Sequence, residues 1–114
     1  MKRDVNLYLT DILESINFIK RYTRGFSAEM FKRDKKSQDA VIRRLEIIGE
    51  ATKKIPNEIK KQYPQVRWQE IAGVRDFLSH IYFGVNLNRI WRIIKDDLPK
   101  LNNEIKNIVK KLNQ

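Results

Sequence analysis

The 114-residue sequence contains no cysteine and a single histidine, His80. The absence of cysteine excludes disulfide bonds and thiolate metal sites, and one histidine leaves no histidine pair for a zinc site of the usual kinds. Glycine and proline are also scarce, with four and three residues, which disfavours architectures built on many tight turns. We therefore expect a helical protein that needs no metal and no cofactor.

Long apolar runs are missing as well. No stretch approaches the roughly 18 apolar residues of a membrane span. The N-terminus, Met1-Lys2-Arg3-Asp4, leads directly into an amphipathic pattern without the apolar region of a signal peptide. We expect a cytoplasmic protein that does not contact a membrane.

Acidic residues are few relative to basic ones: 14 Asp and Glu stand against 24 Lys and Arg, a net charge of +10. Such a charge attracts polyanions in a sequence-independent and salt-sensitive way. RNA, DNA or an acidic protein are the first candidate partners, and a basic surface that only supports solubility is the alternative. With 41% hydrophobic residues, the chain has the material for one core, and we expect a single domain over residues 1–114.

Apolar residues recur every three or four positions along most of the chain, which is the spacing of one helical face. This pattern predicts four helical segments, which lie at Asp4–Arg24, from about Ser37 to Pro56, from Trp68 through a kink at Gly73 to Phe83, and from Asn86 to Leu112. Such helices bury their apolar stripes by packing together, so we predict an all-α fold, an antiparallel four- to five-helix bundle.

Single residues are expected to end or interrupt these helices. Gly25 is a left-handed stop for the first helix, and Ser27 is an N-cap for a short turn after it. The basic run Lys32–Lys36 is typical of a solvated loop. Gly49 predicts a close helix-to-helix approach, and Pro99 predicts either a kink or a break with a restart in the last helix.

One segment, Arg75-Asp76-Phe77-Leu78-Ser79-His80-Ile81-Tyr82, combines a fixed cation, the single imidazole and a phenol. Arginine offers a planar fork for phosphate oxygens, and histidine can move the proton of a ribose 2′-hydroxyl. Asp76 lies four residues before His80, so its carboxylate can orient the imidazole on a helix. Metal-free RNA cleavage works best with a separate acid and base, which a symmetric dimer would supply. A purely structural role for this segment is the alternative.

Further landmarks surround this segment. They are Leu7-Tyr8-Leu9-x-Asp11-Ile12-Leu13, the run from Gln38 to Ala51, Trp68-x-x-Ile71-x-Gly73 and His80-x-Tyr82-Phe83-Gly84. With them, nearly the whole chain resembles the HepT-like subgroup (DUF86) of the HEPN superfamily. The Arg-x4-His-x-Tyr motif of that family corresponds to Arg75, His80 and Tyr82 without a gap.

The resemblance implies the toxin of a toxin–antitoxin module: a two-fold dimer whose interface holds a metal-independent endoribonuclease site. Arg75 and His80 would be catalytic, with Asp76 and Ser79 as supporting residues. The implied partner is a minimal nucleotidyltransferase antitoxin, which would modify Tyr82 with AMP and silence the toxin. An anionic adduct two residues from His80 would place negative charge where an RNA phosphate must approach.

Basic residues of the second helix are expected to help hold RNA, with solvated charge as the alternative. These residues are Arg43, Arg44, Lys53 and Lys54. We expect the dimer contact to involve the helix that carries Arg75 and the second helix near Gly49. A different function also stays open, that of a non-catalytic helical partner that binds a nucleotidyltransferase or a nucleotide. RNA cleavage by the pure protein would separate the two.

Overall fold

The computed structural model describes residues 2–78 and 86–114, with only the backbone of Lys2, Arg3 and Arg75. This part of the chain is helical and contains no strand, which confirms the all-α prediction. The helices are α1 (Lys2–Tyr22), α2 (Ala28–Arg33), α3 (Lys35–Lys54), α4 (Asn57–Gln62), α5 (Trp68–Ala72), α6 (Val74–Leu78), α7 (Leu87–Arg92) and α8 (Leu98–Leu112), and a π-helical turn (Ile93–Asp97) joins α7 to α8. None of the described helices is both long and apolar enough to cross a membrane.

The long helices α1 and α3 pack side by side in opposite directions. Near the start of α1, the ring of Tyr8 lies 5.8 Å from the Nζ atom of Lys54 at the end of α3. Near the end of α1, the ring of Phe18 lies 4.2 Å from the guanidinium carbon of Arg44 in the first half of α3. The antiparallel arrangement predicted from the sequence is therefore present in this pair.

Helix α8 lies against α1, also antiparallel. The side-chain amides of Asn6 and Asn113, at the start of α1 and just after α8, exchange two hydrogen bonds of 3.2 Å. Between the helices lies an aliphatic core, in which each large side chain contributes about 1.5–3 kcal/mol of burial free energy. Its fully buried members include Leu9, Ile12, Ile19, Phe31, Leu45, Ile48, Ile90, Ile105 and Ile108.

The predicted end of the first helix is confirmed. Gly25 adopts a φ of +77° after the last turn of α1, a conformation that glycine reaches without steric cost. The Ser27 side chain then accepts a hydrogen bond of 3.2 Å from the backbone N–H of Met30, as expected of an N-cap.

The basic run Lys32–Lys36 is not the predicted loop, because α2 ends and α3 begins within it. Asp34 separates the two helices and caps both: its N–H donates to the Phe31 carbonyl, and its carboxylate accepts from the N–H and the hydroxyl of Ser37. The Ser37 hydroxyl bond, 2.7 Å long, lowers the pKa of Asp34. One capping residue thus replaces a loop.

The predicted helix ends and interruptions in the second half of the chain are confirmed in part. Gly73 interrupts the third predicted helix and separates α5 from α6. The predicted end of that helix, at Phe83 and Gly84, lies outside the described residues. Asn86 does precede α7, but with a φ of +84° and no side-chain capping bond. Pro99 falls in the first turn of α8, where its missing N–H is tolerated. The backbone stays helical through the π turn. Of the two alternatives predicted for Pro99, a kink or a break with a restart, the break does not occur.

Ser15 is an unfavourable residue in the core, and its replacement by alanine is expected to stabilise the protein. The side chain is 1% exposed, and its Oγ finds no hydrogen-bond partner among the described residues. Removing an unsatisfied buried hydroxyl and adding a better helix former should raise the free energy of unfolding by about 1 kcal/mol. Urea denaturation measures the change.

Ser37→Ala is the matched control, because that hydroxyl is bonded to Asp34. It should not stabilise the protein. A Ser15→Ala variant no more stable than the wild type would show that the Ser15 hydroxyl is satisfied in solution.

Candidate functional site

Helix α6 carries the first half of the Arg75–Tyr82 segment, and Gly49 of α3 holds it in place. A Cβ atom on Gly49 would lie 3.0 Å from Cγ1 of Val74 and 3.4 Å from the carbonyl oxygen of Ile71. The predicted close approach at Gly49 is therefore confirmed, and it takes place within the chain, between α3 and the α5–α6 pair. Even an alanine methyl group here would require the Val74 side chain to shift, and a larger side chain would press against the backbone of the α5–α6 pair.

The structure describes only part of the predicted catalytic set. The backbones of Arg75 and Asp76 lie in α6, where the N–H of Asp76 donates to the Gly73 carbonyl and its side chain is exposed. Ser79, His80 and Tyr82 lie outside the described residues. The roles predicted for these side chains stay predictions.

An aromatic ring of α6 receives an arginine from α7. The guanidinium carbon of Arg89 lies 4.2 Å from the ring centre of Phe77, two residues after Arg75. This distance is well within the range of a cation–π contact. On the other side of α7, Trp91 packs against Phe31 of α2 with ring centres 5.6 Å apart. The start of α7 is therefore anchored both to α2 and to the helix of the motif.

A groove of about 490 Å³ opens between α5–α6 and the α7–α8 helix. Its apolar floor includes the buried residues Leu45 and Ile48 of α3. Its walls carry four cationic and four acidic residues, namely Arg67, Arg89, Arg92, Lys100, Glu70, Asp96, Asp97 and Glu104. Phe77 and Arg89 both line this groove, so it extends to the motif helix.

The charges in the groove are not evenly paired. Arg67 forms an ion pair with Glu70, with 3.4 Å between their N and O atoms. Neither Arg89 nor Arg92 forms an ion pair with any carboxylate of the described residues. At the end of the groove formed by α7, two arginines therefore have no ion-pair partner among the described carboxylates.

The four basic residues predicted to hold RNA lie in α3, and three of them, Arg43, Lys53 and Lys54, are exposed. Arg44 is partly buried and lies over the ring of Phe18, and Lys54 lies over the ring of Tyr8. Both Arg44 and Lys54 are five residues from Gly49, which places them about 140° around the helix from the side that packs on α6. The role of these four residues in holding RNA stays a prediction.

Sequence reasoning also missed Arg89 and Arg92. Their spacing of three residues places them on one helical face, but nothing in that spacing says which element the face meets. The contact between Arg89 and Phe77 joins two helices, α7 and α6, that are separate in the sequence. Only the fold reveals it.

Comparison with known proteins settles the family. A model of the ribonuclease HepT-like family matches residues 12–108. The chain belongs to the HepT-like ribonuclease family. The matched range runs from the middle of α1 to the last turns of α8 and includes the whole Arg75–Tyr82 segment, so the resemblance noted from the sequence is confirmed.

Two relatives of this HepT-like protein illustrate the likeness. A Thermococcus cleftensis protein named "Probable ribonuclease HepT" is 47% identical over 110 residues, which are 96% of this chain and the whole of that protein. A Methanocaldococcus jannaschii protein named "Gamma-glutamylcyclotransferase and putative RNase" is 46% identical over all 114 residues. The chain spans 51% of the length of that second relative. No solved structure matches this HepT-like chain significantly.

Proposed function

We propose that this HepT-like protein is a metal-independent endoribonuclease and the toxin of a toxin–antitoxin module. The observation that carries the proposal is the family match, which includes Arg75, His80 and Tyr82 in uninterrupted spacing. The net charge of +10 supports it, because RNA is a polyanion.

The proposed chemistry is transesterification at an RNA phosphodiester. His80 takes the proton of a ribose 2′-hydroxyl, and O2′ attacks the adjacent phosphorus. The bond from phosphorus to O5′ breaks, and O5′ takes a proton from a second imidazolium. Arg75 offsets the charge that develops on the phosphoryl oxygens. The products are a 2′,3′-cyclic phosphate and a 5′-hydroxyl end.

The second imidazole must come from another copy of the chain, because the sequence has only one histidine. A two-fold dimer that joins two Arg75–Tyr82 segments supplies it. In the described part of each copy, Gly49 fixes α6 against α3 and gives the segment a firm base. Asp76 and Ser79 support the catalytic pair, Asp76 by favouring the protonated imidazole.

The proposed substrate is single-stranded or loop RNA, because side chains cannot read the deep, narrow major groove of an RNA duplex but can bind unpaired bases. The electrostatic attraction between the protein and the RNA would be strengthened by four basic residues of α3, namely Arg43, Arg44, Lys53 and Lys54. The proposed regulator is a nucleotidyltransferase antitoxin that attaches AMP to Tyr82. The adduct blocks the RNA phosphate by bulk and by charge.

The test is incubation of the purified protein with a pool of total tRNA and mRNA in EDTA, followed by analysis of the product ends. Intact mass must first show Tyr82 unmodified. Cleavage that leaves 2′,3′-cyclic phosphates is expected. Intact RNA after incubation with unmodified protein would contradict the proposal and favour a non-catalytic partner of a nucleotidyltransferase.

A further inference from the structure

Arg89 is a cation that contacts the described part of the motif helix. It rests on Phe77, which follows Arg75 by two residues and precedes His80 by three. Phe77 belongs to the motif helix, whereas Arg89 belongs to α7, on the far side of the motif in sequence. The fold thus brings to the motif an arginine that the Arg-x4-His-x-Tyr pattern does not include.

The charge of Arg89 is available to a ligand. Its side chain is exposed and has no ion pair with a described carboxylate. Arg92, three residues on, lies on the same face and lines the same groove. The groove acids Asp96 and Asp97 begin seven residues after Arg89, about 10 Å further along the helix. Asp96 lies only four residues after Arg92, so Arg89 is the arginine of this face that lies farther from these two carboxylates.

The contact with Phe77 also limits where the Arg89 guanidinium can lie. A planar guanidinium 4.2 Å from a ring centre is held by the ring, while its N–H groups can still bind phosphate oxygens in pairs. A side chain already held in this way loses less conformational entropy when it binds a ligand. The groove volume of about 490 Å³ falls in the range of small-ligand sites, so it has room for a nucleotide.

We propose that Arg89, held by Phe77, binds an RNA phosphate that flanks the scissile phosphodiester, with Arg92 beside it. This inference rests on the proposed ribonuclease function and adds a positioning residue to it. Because the flanking phosphate does not change in the reaction, Arg89 binds it equally in the ground state and in the transition state. Its loss should therefore raise KM and leave kcat nearly unchanged.

The experiment measures binding and cleavage separately. Binding is followed by fluorescence anisotropy with a labelled, mixed-sequence 12-nucleotide RNA that is 2′-O-methylated throughout and so lacks the attacking hydroxyl. Arg89→Gln is compared with Lys110→Gln, an exposed residue about 30 Å along the same helical path that loses the same charge. Salt is varied from about 50 to 200 mM.

Arg89→Gln is expected to weaken binding about fivefold to tenfold at low salt and to make the slope of log K against log salt shallower by about 0.7, the value for one phosphate contact in a single strand. Lys110→Gln should change both much less. Equal slopes and affinities for the two variants would overturn the proposal. If the wild type cleaves no RNA, the proposed function fails, but the binding assay still decides the role of Arg89.

Phe77→Leu tests whether the ring holds Arg89. In the wild-type background it should weaken RNA binding, and in the Arg89→Gln background it should have no further effect, because the side chain that it positions is already gone. Additive effects of the two substitutions would overturn the holding role. Thermal melts of each variant confirm that equal amounts of folded protein are compared.

Discussion

Replacing His80 with alanine is expected to lower the rate of RNA cleavage by about 10²- to 10⁴-fold or more. A positioned general acid or base contributes a factor of this size, and in a symmetric dimer one substitution removes both groups. The measurement is a time course of cleavage in EDTA by wild type and variant. Binding to the uncleavable 2′-O-methyl RNA should change little, because the role proposed for the His80 imidazole is to transfer protons and not to hold the RNA.

Two controls make the result specific to chemistry. The His80→Ala protein should match the wild type in its melting curve and in its mass in solution, which excludes loss of fold or assembly. A mixed dimer with one wild-type and one His80→Ala copy should be nearly inactive if cleavage needs both imidazoles. Cleavage by the homodimeric variant at the wild-type rate would remove His80 from the mechanism.

Replacing Gly49 with leucine is expected to destabilise the fold by about 1–3 kcal/mol, the usual cost of overpacking. Helix propensity alone predicts the opposite, because leucine is a better helix former than glycine by up to about 1 kcal/mol. The packing effect should win, since even a Cβ would lie 3.0 Å from Val74 and 3.4 Å from a backbone oxygen. Urea denaturation of the two proteins gives the difference.

The matched control for Gly49 removes the neighbouring Val74 methyl group that a side chain at position 49 would meet. In a Val74→Ala background the 3.0 Å contact to Cγ1 disappears. Gly49→Ala should then stabilise the protein relative to Val74→Ala alone, by up to about 1 kcal/mol of helix propensity. If Gly49→Leu is as stable as the wild type, α3 and α6 can separate freely and the tight packing assigned to Gly49 is wrong.

The features that the sequence predicted well are local ones. Gly25 and Ser27 act through their own backbone and their nearest neighbours, so their types and positions suffice to predict a stop and a cap. Gly49 was predictable because glycine costs stability in any helix interior, and a close packing contact is a physical reason for keeping it there. The stripes themselves predict helices, and the described residues are helical.

The features that the sequence could not predict depend on which helices meet. The contacts of Arg44 and Lys54 with aromatic rings depend on the position of α1, which their sequence neighbours do not show. Arg89 gains its candidate role only from the position of Phe77 on another helix. The His80 and Tyr82 roles rest on the family motif, because neither residue is among those that the structure describes.

The π turn at Ile93–Asp97 joins two helices that pack on different neighbours, α7 on α2 and α8 on α1. One row of buried side chains continues through it. The buried residues Ile90, Ile94 and Leu98 follow one another in steps of four, which in an α-helix would drift by about 40° per step. The wider hydrogen-bonded turn at Ile93–Asp97 offsets this drift in the second step, from Ile94 to Leu98. The buried side of α8 can therefore keep facing α1, while α7 holds Arg89 against Phe77 of the motif helix. This single turn thus adjusts the angle between the core-facing side of α8 and the side of α7 that carries the proposed RNA contact.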